Sequence, residues 1–71
     1  MALNSCQVTT INAPLNLRAE PNTSATVLAQ LPDNLMLTAT ARVAGWYQVI
    51  YLDGQGWVSA QFVQTTGDCG S

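Results

Sequence analysis

Few side chains in this 71-residue sequence could make or break bonds: Cys6 and Cys69, the carboxylates Glu20, Asp33, Asp53 and Asp68, and the cations Arg18 and Arg42. Nucleophilic catalysis needs an activated Ser, Thr or Cys with a base beside it. The sequence contains no His and no Lys to serve as that base. A carboxylate pair would need two acids converging in a cleft, and three of the four lie in turns or near the C-terminus. The acids also lack the calcium-loop pattern and other metal-ligand spacings. The reading is therefore a non-enzymatic chain that uses no metal and no cofactor.

The two cysteines sit at opposite ends, outside the patterned region. That placement favours a staple between Cys6 and Cys69 over a buried thiol pair or a metal site. Closing so long a loop stabilises by about 4 kcal/mol in the chain-entropy account. A disulfide implies an oxidising compartment, so the expected location is extracytoplasmic: secreted, periplasmic or in the cell envelope. The first residues have neither the basic start nor the apolar stretch of about 7–15 residues of a signal peptide. The expectation is accordingly a module of a longer exported protein, with that protein's flanking domains among its partners.

Composition narrows the partners further. Charged residues are 8% of the chain, against roughly 25% in an average protein. Eight Thr, six Gln, five Asn and four Ser supply the polarity instead. With a net charge of −2 and two separated arginines, there is no basic patch to neutralise phosphates, so nucleic acid is not an expected partner. No apolar run reaches the roughly 20 residues of a spanning helix, which argues against membrane insertion. The chain is expected to be a monomer.

The elements that must position these groups are strands. Leu35, Leu37, Ala39, Ala41 and Val43 alternate with Met36, Thr38, Thr40 and Arg42, as on a half-buried strand. The same period of two runs through 15–18 and 47–52, while 27–31 makes a short strand ended by Pro32. Asp53-Gly54 predicts a hairpin pairing 47–52 with 55–59. Ala44-Gly45 and Pro32-Asp33-Asn34 predict two further turns, and 19–26 a loop in which the sequon Asn22-Thr23-Ser24 is turn chemistry. The expected core is Leu15, Leu17, Val27, Leu31, Leu37, Ala39, Val49, Val58 and Val63. About five or six short strands in so small a chain point to an all-β closed or nearly closed barrel.

Three stretches carry a family resemblance. Leu15-Asn16-Leu17-Arg18-Ala19-Glu20-Pro21-Asn22-Thr23-Ser24, then Val27-Leu28-Ala29-Gln30-Leu31, then Gly45-Trp46-Tyr47-Gln48-Val49 with Gly56-Trp57-Val58, resemble in order and spacing the bacterial Src-homology-3 (SH3) family. Glu20 and Asn34 depart from it, each standing where many members have Gly. The resemblance implies an SH3-like barrel over residues 8–65, with 1–7 and 66–71 as short tails tied by the disulfide. It also implies first and last strands that bring Cys6 and Cys69 together.

The resemblance further implies a cell-wall binding module, with peptidoglycan or its peptide stems as ligand. The alternative is a protein–protein or intramolecular docking module with no wall ligand. In eukaryotic relatives of this barrel a Trp, a Pro, a Tyr and acidic loop residues form a groove for polyproline. Trp46 resembles that Trp and Glu20 lies on the corresponding loop, but Ser59 stands at the Pro position and Phe62 at the Tyr. Proline-rich recognition is thus expected to be poor. The expected ligand contacts are Trp46, Phe62, Glu20 and Asn22, stacking on a sugar or short peptide. Arg18 has two readings, an anion contact or an outward strand residue packing its stem on a neighbour, and the second is favoured.

Overall fold

Alternating apolar and polar residues make extended chain throughout this protein. The computed structural model describes residues 2–11, 14–52 and 54–69. Its strands are β1 (Ala2–Thr10), β2 (Leu15–Arg18), β3 (Val27–Leu31), β4 (Met36–Val43), β5 (Trp46–Tyr51), β6 (Gly54–Ser59) and β7 (Val63–Asp68), with one 3-10 turn at Ala60–Phe62. They form one sheet in the order β3-β2-β6-β5-β4-β1-β7, paired antiparallel. The extents of 26 × 24 × 22 Å exceed in every direction the roughly 10 Å of a single sheet layer. The sheet is therefore rolled, and one face encloses the core. This is the all-β, SH3-like small barrel that was expected, with seven strands among the described residues.

Two strands lie beyond the five segments read from the pattern, β7 and, beside it in the sheet, β1. β1 lies between β4 and β7 and turns Cys6, Val8 and Thr10 inward. Strand structure thus begins at Ala2 and continues to Asp68, through much of the segments 1–7 and 66–71 expected as tails. Cys6 and Cys69 are joined, with their Cα atoms 4.8 Å apart. The core contains Leu15, Leu17, Leu31, Leu37, Ala39, Val49, Val58 and Val63 as expected, together with Cys6, Val8, Tyr47 and Cys69.

Val27 is a correction: it is 43% exposed. The pairing of β2 with β3 shifts between Leu17↔Ala29 and Arg18↔Val27. One extra residue on β3 reverses the face that follows it, because side chains alternate with a period of two. A second shift, between Ala39↔Val49 and Ala41↔Gln48, does the same in β4. Val43, expected inward, is 44% exposed, whereas Arg42 faces inward-pointing Tyr47 with its guanidinium carbon 5.7 Å from the ring centroid.

The hairpin expected at Asp53-Gly54 turns one residue earlier. Tyr51 pairs with Gly54, and Leu52 takes φ 54°. Asp53 itself lies outside the described residues. The shift moves the pairing by two residues and leaves the inward faces unchanged, so hydrophobic pattern alone could not select it. The observed register sets Gly56 beside Val49. A Cβ at Gly56 would come within 2.6 Å of Leu17 Cγ, so β2 can cross here only over a residue with no side chain.

Among the described residues Thr10 is the buried polar residue of this core, and every hydrogen-bonding group it has is used. Its hydroxyl donates to Pro32 O at 2.6 Å and accepts from Leu35 N at 2.8 Å. Its backbone N–H donates to Leu35 O at 2.9 Å, and its carbonyl accepts from Asn34 N at 2.9 Å. These four bonds hold the 32–35 turn, where Asn34 takes the left-handed conformation at φ 59°.

Two outcomes follow for stability. Thr10→Val preserves shape but leaves the Leu35 N–H and Pro32 carbonyl without this partner, and should lower unfolding free energy by about 1–3 kcal/mol in urea titrations. Reducing the Cys6–Cys69 bridge should remove about 4 kcal/mol in the chain-entropy account. Equal melting curves with and without reductant would count against a stabilising role.

Candidate functional site

The chain reverses between β4 and β5 in two residues because Gly45 takes φ 79°, a conformation that costs glycine little. Trp46 is delivered as the first residue of β5, half-buried and paired with Ser59. Directly after Ser59 comes the 3-10 turn. Ala60 N donates to Gly45 O at 2.8 Å, binding this turn to the β4–β5 turn, and Ser59 Oγ caps it by accepting from Gln61 N at 3.4 Å. Phe62 is thereby held on the surface at 38% exposure, its carbonyl accepting from Ile11 N at 3.2 Å.

Across from these residues, Arg18 ends β2 on the outward face. Its Nη1 donates to Ala25 O at 3.0 Å, bracing the 19–26 loop from beneath. The loop is also braced from within. Ala19 N donates to Thr26 O at 2.9 Å, Asn22 N to Glu20 O at 2.8 Å, and Ser24 N to Asn22 Oδ1 at 3.0 Å. The last contact is an Asx turn, the local chemistry that favours Asn in loops.

A cleft of about 700 Å³ opens between these parts. Trp46 and Phe62 line it, and Arg18 and Thr23 are among its other lining residues, with Ser59 and Gln61. Of the four expected ligand contacts, the structure brings Trp46 and Phe62 to this cleft. Glu20 and Asn22 are exposed on the loop and do not line it among the described residues; Thr23 is the loop residue that does. Arg18 is outward, as read from the strand pattern, and it also lines the cleft. The usable signal was its place as the last strand residue before a loop, which puts an outward side chain under that loop.

The lining groups can stack and hydrogen-bond. Two aromatic side chains offer faces for stacking, and hydroxyl and amide groups offer hydrogen bonds at the rim. A second hollow of about 350 Å³, over β4, β1 and β7, is lined in part by Gln7, Thr38 and Thr66 and has no aromatic surface. Among the described residues, no three of His, Cys, Asp and Glu converge as a metal site would require.

A family model described as the bacterial SH3 domain matches residues 13–64. The Bacillus subtilis (strain 168) protein YrvJ, whose name describes it as a candidate N-acetylmuramoyl-L-alanine amidase, is 30% identical over 64 residues. That stretch is 90% of this chain but 12% of the relative, so the chain spans only a small part of the protein it matches.

The loop beside the cleft provides a test of the geometry. Asn22→Ala removes the acceptor for Ser24 N, and amide exchange at Ser24 should quicken several-fold, for a local cost of about 1 kcal/mol. Exchange at Val49 and Val58 should not change. Unaltered exchange at Ser24 would show that the Asx turn does not hold the loop.

Proposed function

This chain belongs to the bacterial SH3 domain family, and from that premise we propose that it is a non-catalytic binding module of an exported bacterial protein. It positions a larger partner, through flanking domains, at the cell wall, and its ligand is peptidoglycan or its peptide stems. The observation that carries this reading is the cleft that brings Trp46 and Phe62 together beside neutral hydrogen-bonding groups. A sugar ring or short peptide presents an apolar face and a polar rim, and that surface matches both. Glu20 and Asn22, on the adjacent loop, contact those parts of a ligand that extend beyond the cleft. The family membership and the wall-directed name of the relative support the same reading.

Location follows from the bridge: a disulfide tying β1 to the chain end persists where thiols are not kept reduced, so the module works outside the cytoplasm. Affinity for a site so open is expected to be micromolar to millimolar, on the order of 4–8 kcal/mol. A second reading, docking to another protein, is favoured by one observation. β3 is a sheet edge with Val27 and Leu28 exposed and no charged residue along it, and such an edge can accept an added strand.

Co-sedimentation with purified sacculi separates the two readings. The chain should pellet with the wall material, and Trp46→Ala should lower the retained fraction by roughly tenfold at limiting sacculi, as loss of a hot-spot aromatic does. Complete recovery in the supernatant would favour docking, and undiminished retention of the Trp46→Ala chain would move the site away from the cleft.

A further inference from the structure

The protein carries a net charge of −2, with four acidic side chains and two basic ones. The cleft inverts that balance. Among the described residues its lining holds one formal charge, the Arg18 guanidinium, and no carboxylate. From this inversion we infer that the cleft selects ligands bearing a free carboxylate, which Arg18 grips while Trp46 and Phe62 receive the ligand's apolar face. The inference rests on the reading of the cleft as the binding site and adds to it the charge of the ligand.

Three properties of Arg18 suit the role. A guanidinium is planar and charged at every physiological pH, and its N–H groups match the two oxygens of a carboxylate as a fork. One of its five N–H groups is committed, by Nη1, to the Ala25 carbonyl. That bond fixes the plane of the group and leaves the other donors for a ligand, so little rotamer freedom remains to be lost on binding. Its partial burial between strand and loop lessens the screening that would weaken a fully exposed pair. Glu20, the acid closest to it in sequence, is exposed and does not line the cleft, so no lining acid competes for the guanidinium.

The test compares solubilised muropeptides carrying free carboxylates with the same preparation after its carboxylates are converted to amides. Binding is followed by amide chemical shifts of the whole chain. The acid form should bind roughly tenfold more tightly than the amide form, the scale of a charge-assisted pair in a half-open site. Arg18→Gln should abolish that difference, and Arg18→Lys should restore only part of it, since Lys keeps the charge without the fork. Raising salt from about 0.05 to 0.5 M should weaken the acid form alone, a readout on the unaltered chain that no folding defect can mimic.

Equal affinity for acid and amide in the unaltered chain would overturn the inference and leave the binding cleft intact. Shifts at Trp46 and Phe62 by neither preparation would overturn the cleft reading together with it.

Discussion

The barrel depends on β1, the strand that enters the sheet between β4 and β7 and has no sequence neighbour there. Its inward residues Cys6, Val8 and Thr10 are among the most buried of the molecule, and each closes something different. Val8 fills the core; Thr10 carries the hydrogen bonds of the 32–35 turn; Cys6 ties the strand to the far end of the chain. Without β1, β4 would be an edge and the core would lie open along one side. On the opposite side β2–β3, β4–β5 and β5–β6 are hairpins whose contacts are local, and β2 joins β6 at Arg18↔Trp57.

That division explains why so small a core is supplemented by a covalent link. A chain of this size buries only about 60% of its unfolded surface, and the contact most expensive in loop closure is that of β1 with β7. The bridge acts where that entropy is largest, between residues 63 apart in sequence. Gly67 permits the closure: it pairs with Cys6 at φ 91°, and a Cβ there would land on the Ser5 carbonyl oxygen. Cysteine, glycine and strand register form a single device.

The cleft is a product of the connections between strands. Gly45 presents Trp46, the capped 3-10 turn presents Phe62, and the loop braced on Arg18 presents Thr23. Loops on a rigid barrel can vary without disturbing the strands, which is the usual reason recognition is placed there. Here the loops are themselves tied down, by Ala60 N to Gly45 O and by Arg18 to Ala25 O. The cleft is therefore held in shape by the chain's own hydrogen bonds.

The sequence by itself determined the class of fold, most of the core and the turns at Gly45 and Asn34, because a period of two and a demand for positive φ are local properties that any strand or turn must express. It also determined that Trp46 opens a strand at the surface. What only the tertiary structure decided were quantities with no local signature. A single extra residue in β3 and another in β4 turned Val27 and Val43 outward, and a bulge is set by the partner strand as much as by its own residues. β1 escaped because Ala2–Thr10 is mostly polar and its apolar members are few; the alternation of Cys6, Val8 and Thr10 becomes meaningful only with β4 and β7 on either side. The same holds for the cleft: Arg18, Trp46 and Phe62 are far apart in sequence and acquire a common chemistry only where the rolled sheet brings their connections together.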